Sequence, residues 1–197
     1  MKWLKHFFVQ FVDGLSKTAE QSPFTLCESC LSPISPKSLP QPTPESTEKP
    51  KKEKKQAGAK AEFQSLLDEA GVKHFSADEV FYRGARDAKL KLNQDPPRNV
   101  WPQLVAVTAV ADEARRRLGK PLRINSAYRS PAYNRAISGA RLSQHTRGAA
   151  LDLSGSPAAL HKVLTQMRSE GLFRGGIGRY RTFVHVDVRG KNADWQG

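Results

Sequence analysis

Cysteine is nearly missing from this 197-residue chain: Cys27 and Cys30 are the two it has, and everything after residue 30 folds without one. A disulfide framework is therefore excluded, and so is a closed all-cysteine zinc site, which needs two further ligands that no second pair supplies. A thioredoxin-type redox pair needs a surrounding βαβ pattern, whereas Cys27 and Cys30 lie in a Pro- and Ser-rich context. What remains for them is a pair of linker cysteines able to form a local or intermolecular disulfide. Long apolar runs are missing too, and the most apolar N-terminal stretch, residues 2–15, is too short and too interrupted to span a bilayer. Acidic residues are scarce, 19 Asp/Glu against 32 Lys/Arg, for a net charge of +13. Such a balance attracts polyanions: nucleic acid, anionic lipid or an anionic cell-wall polymer. No nucleic-acid-binding motif accompanies the charge, and the arginines are scattered, so a nucleic-acid partner is not expected. No internal repeat is present.

What is there divides into three stretches. In residues 1–15, Trp3, Leu4, Phe7, Phe8, Phe11, Val12 and Leu15 recur at helical spacing, with Lys2, Lys5, His6, Gln10 and Asp13 mostly on the other side. This suits an amphipathic helix on a membrane surface, an export segment or a helix that docks on a partner. Residues 16–60 hold all 7 of the prolines found before residue 51, out of 13 in the chain, and the charge run Lys51-Lys52-Glu53-Lys54-Lys55. So little apolar surface predicts a flexible, disordered linker. Residues 61–197 are long enough for one compact domain. They carry 22 Lys/Arg and 13 Asp/Glu, so the domain is itself basic at +9.

Within that domain the spacing predicts a short helix over 61–70 stopped by Gly71, and a helix start at the capping box Ser76-Ala77-Asp78-Glu79. A long helix follows over 102–118, with Leu104, Val107, Ala111, Ala114 and Leu118 inward and Gly119 as its end. Residues 121–125 and 149–153 read as strands, and 132–144 as a loop or short helix. Residues 158–169 read as a helix with Leu160, Val163, Leu164 and Met167 inward, closed by Gly171. Gly175-Gly176-Ile177-Gly178 reads as a tight approach to a last strand, 183–188. Helices and strands are segregated, which makes the class α+β with a small antiparallel sheet packed by helices.

Two stretches carry chemistry: Ser143-Gln144-His145-Thr146-Arg147-Gly148-Ala149-Ala150-Leu151-Asp152 and Val184-His185-Val186-Asp187. Residues two apart on a strand share a face, so His185 and Asp187 project together. A buried histidine and aspartate need partners, and a metal ion is one such partner. By spacing alone, two readings stand. His145, Asp152 and His185 converge on a metal, or they are a loop residue, a cap and a satisfied sheet histidine.

The pattern Ser143-x-His145-x-x-Gly148-x-Ala150-x-Asp152 resembles the signature of zinc D-Ala-D-Ala carboxypeptidase-like enzymes, a group that includes the hedgehog signalling domain. The segment Ser126-Ala127-Tyr128-Arg129-Ser130-Pro131-Ala132-Tyr133-Asn134 resembles a second motif of the family, and Phe183-Val184-His185-Val186-Asp187 its final metal-ligand strand. The similarity covers about residues 74–190. It implies a hedgehog/DD-peptidase-like fold with Zn2+ held by His145, Asp152 and His185. It also implies hydrolysis of peptide bonds in peptidoglycan stem peptides, in a cell envelope or periplasm. Arg129 is then expected to reach an oxyanion or a substrate carboxylate. Many relatives place a glutamate three residues, or a histidine two residues, before the last ligand; here those positions hold Thr182 and Phe183. Asp187 is the substitute candidate, as general base or as the carboxylate that orients His185. The departure leaves a second reading, a catalytically impaired zinc-containing module that binds the cell wall. Ser143 is expected to shape the metal loop and not to act as a nucleophile. Tyr128 and Tyr133 are expected as packing or pocket walls.

Overall fold

The computed structural model describes residues 49–197. The expected amphipathic segment 1–15, Cys27, Cys30 and most of the 16–60 stretch lie outside the described residues. Among the described residues, no helix is long and apolar enough to cross a membrane.

The chain enters through α1, Lys49–Glu69. The last residues of the expected 16–60 stretch fall within this helix. Composition marks 49–60 as a charge run, but Lys, Glu, Ala and Gln are good helix formers, and Pro50 falls in the first turn, where its missing N–H costs nothing. Phe63 and Leu67 of α1 are fully buried. Phe63 stands edge-on to Trp101 at 5.4 Å between ring centroids and tilts against Phe81 at 5.0 Å. The indole of Trp101 donates to the Pro96 carbonyl at 2.9 Å, so the one polar atom of this aromatic cluster is satisfied.

Short helices α2 (Ala77–Val80) and α3 (Asp87–Leu90) follow. The predicted capping box is formed: the Ser76 hydroxyl accepts from the Glu79 amide while the Glu79 carboxylate accepts from the Ser76 amide. The long helix α4 spans Trp101–Leu118 and ends at Gly119 with φ +63. Leu104, Val107, Ala111 and Ala114 are buried, as their spacing predicts. The burial also extends round the helix to Val105, Ala106, Thr108, Ala109, Val110 and Asp112. A helix covered on most sides is central to its domain. Helix α5 is Pro131–Ala136, and α6 is Pro157–Ser169 with Leu160, Leu164 and Met167 inward.

Five strands complete the described fold: β1 (Arg123–Ser126), β2 (Ala150–Ser154), β3 (Gly176–Arg179), β4 (Val184–Asp187) and β5 (Ala193–Gln196). They form one sheet in the order β1-β2-β4-β3-β5. The α+β class holds, but the sheet is mixed and not antiparallel throughout, because β5 pairs with β3 in parallel. Both β3 and β5 go beyond the sequence expectation. Two of the four β3 residues are glycines, which disfavour strand, and β5 follows a polar turn without an apolar alternation.

Alternation along the central strands separates two faces. Leu151, Leu153, Val184 and Val186 are fully buried in the core beneath α4 and α6. Asp152, His185 and Asp187 project from the opposite face. On that face β3 offers only Gly176 and Gly178, and the Trp195 indole from β5 lies across them. A Cβ at Gly178 would fall 2.4 Å from the indole Cε2, and one at Gly176 2.8 Å from its Cζ3. The glycines are there to admit the ring.

Gly178→Ala is therefore expected to displace Trp195 and cost roughly 1–3 kcal/mol through overpacking, read as a lower melting temperature with altered tryptophan fluorescence. An unchanged melt and spectrum would show that the indole does not need the glycine.

Candidate metal centre

The first ligand candidate sits in a turn built by local hydrogen bonds. The Ser143 hydroxyl accepts from the His145 amide at 3.3 Å and caps the 3-10 turn Gln144–Arg147. The turn closes at Gly148, φ +68, where a Cβ would stand 2.9 Å from both the carbonyl oxygen and the Cβ of Val100. Only glycine meets both the left-handed backbone and the close approach. The chain then enters β2 and reaches Asp152. The antiparallel register of β2 with β4 places Asp152 directly opposite His185. A loop residue and a cross-strand pair thus meet at one point.

The convergence is tight. His145 Nε2 lies 3.2 Å from Asp152 Oδ1 and 3.2 Å from His185 Nδ1, and His185 Nδ1 lies 2.9 Å from Asp152 Oδ1. All three residues are buried. Each ring is oriented by its far nitrogen. His145 Nδ1 lies 2.7 Å from the Ala127 carbonyl, which can only accept, so that nitrogen carries the proton. His185 Nε2 lies 3.2 Å from Asp187 Oδ2, which assigns its proton in the same way. Both inward nitrogens are then bare lone pairs facing each other and a carboxylate oxygen.

Three acceptors with no donor among them repel unless a cation lies between. This two-nitrogen, one-oxygen set fits a divalent metal ion, with His145, Asp152 and His185 as the group among the described residues able to hold it. The electrostatics agree. Burial lowers the pKa of His145 and keeps it neutral. Burial opposes ionisation of Asp152, but the two histidines outweigh it and hold the carboxyl far below the usual carboxylate range. At His185 burial also opposes the charge, yet Asp152 and Asp187 overcome it and raise its pKa: the cluster attracts positive charge.

Asp187, expected as general base or as the carboxylate orienting His185, is fully buried behind the imidazole and does not border the cavity. Its Oδ1 accepts from the Gly176 amide at 2.9 Å and the Arg189 amide at 3.1 Å, and Arg189 grips both oxygens through its guanidinium. Burial would raise its pKa, but these donors and His185 hold it far below the usual range. A carboxylate so engaged has no free lone pair for water. Arg129 donates through Nη2 to Asp152 Oδ2 and through Nε to Ser126 Oγ at 2.8 Å, leaving its guanidinium at the cavity edge. Tyr128 is buried in the core as expected, Tyr133 lines a neighbouring hollow, and neither Arg179 nor Arg181 borders the metal cavity or that hollow.

The cluster opens into a cavity of about 380 Å³. Its walls include Leu142, Tyr180, Phe183 and Trp195, of which sequence reasoning identified none as functional. Tyr180 stacks on Phe183 at 4.3 Å, and its oxygen accepts from Trp195 Nε1 at 3.0 Å. Trp195 also packs on the His185 ring at 5.2 Å. The one signal that could have found it is the glycine pair that makes room for a large ring. Asn93 is another missed residue. It donates to the Arg83 and Tyr128 carbonyls and accepts from the Ser130 amide, bracketing Arg129 on both sides.

A family model described as Peptidase M15 matches residues 73–187, more than half of the chain. A search of curated proteins finds no match to the chain.

His145→Ala is expected to abolish stoichiometric binding of zinc, measured by competition with a chromophoric chelator. Asp187→Asn, which leaves all three ligands in place, should weaken it by about 10- to 100-fold. Wild-type affinity in Asp187→Asn would remove Asp187 from the support of the site.

Proposed function

The chain belongs to the Peptidase M15 family of metallopeptidases, and we propose on that footing that it is a zinc-dependent hydrolase cleaving peptide bonds in peptidoglycan stem peptides. The observation that carries the reading is the meeting of His145 Nε2, Asp152 Oδ1 and His185 Nδ1 as three unprotonated donors at the wall of a cavity. Three protein ligands that leave a further position open are the pattern of a catalytic zinc site, where closed structural sites use four.

When bound, zinc supplies Lewis acidity, bringing the pKa of a water towards roughly 7 and polarising a carbonyl. The residues divide the remaining work. His145, Asp152 and His185 hold the ion. Ala127 and Asp187 fix the ring tautomers from behind. Arg129 secures the outer oxygen of Asp152 and turns a planar cation towards the cavity. Tyr180 is the neutral donor: its oxygen already accepts from the Trp195 indole, so its own O–H is free to donate to a developing oxyanion. Asp187 is the positioning carboxylate of the two roles weighed for it, since the His185 ring stands between it and the cluster.

Support for peptidoglycan as substrate comes from the three motifs around Arg129, His145 and His185 and from the domain's charge of +9, which suits an anionic polymer. A cell-envelope location follows from the same substrate. The second reading, a wall-binding module without turnover, is favoured by one observation: among the described residues, the cavity is bordered by no carboxylate besides Asp152.

Incubation of the full chain with purified peptidoglycan separates the two. Release of new amino groups that stops with a chelator and returns with zinc is expected, and binding without release would leave only the module. Replacing Tyr180 by Phe keeps the stacked ring and the ligands; it is expected to lower kcat by about 10²–10³ with zinc content unchanged. Full turnover in that variant would sink the donor assignment.

A further inference from the structure

Charge is divided unevenly along the domain. Residues 61–113 carry 6 Lys/Arg and 9 Asp/Glu, for a net charge of −3. Residues 114–197 supply the sheet and all three metal-ligand candidates, and they carry 16 Lys/Arg and 4 Asp/Glu, for +12. Those four acids are already engaged. Asp152 pairs with Arg129, Glu170 with Arg117, Asp187 with Arg189 and Asp194 with Arg168. Most of the excess is therefore left without a counter-charge in this half of the domain.

Part of that excess surrounds the metal cavity. Arg141 stands between Ala140 and Leu142, which wall the cavity, and Arg179 and Arg181 flank Tyr180, which walls it as well. Arg135 lies on α5, two residues from both Tyr133 and Ile137 of the neighbouring hollow. All four arginines are exposed and none lines the cavity or the hollow. Among the described residues none of them has an ion-pair partner, whereas Arg129 and Arg189 inside the cavity both do. The stretches that carry the four, 131–151 and 171–186, contain no Asp or Glu at all. Like charges gathered on one surface repel, and an anionic partner relieves the repulsion.

The residue type and its placement narrow that partner. Thirteen of the 16 cations in residues 114–197 are arginine, whose planar, weakly hydrated fork suits paired contacts with phosphate. One carboxylate entering the cavity could not serve cations that stand outside its wall on a helix, a loop and a hairpin; a repeating anion could. Duplex nucleic acid is ordinarily met by a helix laid in a groove and single strands by exposed aromatic rings. Here the cations lie mostly on turns, and the one exposed aromatic side chain of the described core, Tyr82, is on neither stretch. We infer that this arginine rim is a docking surface for a phosphodiester polymer of the cell wall, a poly(glycerol phosphate) type of chain, which holds the domain beside its peptide substrate. The choice of polymer rests on the peptide-hydrolase reading.

The test measures binding of the full chain to soluble poly(glycerol phosphate) by calorimetry at rising salt. It also follows hydrolysis of two wall preparations, one bearing such chains and one stripped of them. Binding is expected to weaken steeply with salt. Replacing Arg141 and Arg181 together by Gln should weaken it by about 5-fold or more. Replacing Lys120 and Lys162 together by Gln makes the same change of charge at the end of α4 and on α6, on the core side of the sheet, and should leave binding within about twofold of wild type. On polymer-bearing walls the arginine pair should raise KM by the factor lost in binding, with kcat unchanged; on stripped walls it should match wild type. All four substituted side chains are exposed, so both variants should fold.

Equal losses from the two pairs would reduce the effect to net charge and overturn the surface. Chelator-sensitive hydrolysis without polymer binding would overturn the surface and leave the hydrolase standing. Polymer binding that the arginine pair weakens, with neither wall hydrolysed, would support the surface and overturn the hydrolase. Tighter binding to duplex DNA or to anionic lipid vesicles at equal phosphate concentration would overturn the wall polymer as the partner.

Discussion

The cross-strand pairing of Asp152 with His185 is the constraint on which the rest of this structure depends. It brings a carboxylate oxygen to 2.9 Å from an imidazole nitrogen that has no proton to share. The His145 turn then delivers a second bare nitrogen to the same point. Such a cluster is unfavourable by itself, and the fold holds it together from outside: Ala127 and Asp187 behind the rings, Arg129 on the outer carboxylate oxygen, core packing beneath the strands. A cation converts this held repulsion into coordination. That is why the donor geometry is a stronger sign of a metal than the presence of two histidines and an aspartate.

The supports are themselves coupled. Asp187 orients His185, and its ionised form is held in turn by His185, Arg189 and the Gly176 amide. Arg189 in turn lies over the Trp195 ring at 5.4 Å, and Trp195 reaches Tyr180. One continuous set of contacts therefore runs from the buried carboxylate to the cavity wall. It exists because β5 adds to the sheet beside a strand whose glycines leave a shallow bed for the indole. The edge strand thus belongs to the site as much as to the fold.

Much of the fold was legible along the chain where a local rule governs. Helices α4 and α6 follow from apolar spacing, their ends from Gly119 and Gly171, and the start of α2 from the Ser76–Glu79 box. His145, Asp152 and His185 were legible as a candidate metal-binding group through motif resemblance, since spacing alone left an unremarkable alternative. What local rules missed has identifiable causes. Strand β3 is half glycine, and its role is to make room for a residue 17 positions away from Gly178. The start of α1 was hidden because a charge run of good helix formers looks like a linker by composition. Asp187 could be assigned to the right strand face, but not to the far side of the His185 ring.

By itself the sequence determined which residue types could bind a metal, which segments would be helix, and that the folded part would be basic. Those properties depend on residue chemistry and on neighbours within about one or two helical turns. Tertiary structure alone decided that Asp187 backs His185 without facing the cavity, that Trp195 and Tyr180 wall the site, and that Arg86 and Tyr133 share a hollow with Asp152. Each of these depends on strand register, sheet order or the crossing of distant loops, and such long-range geometry leaves no local periodicity to read.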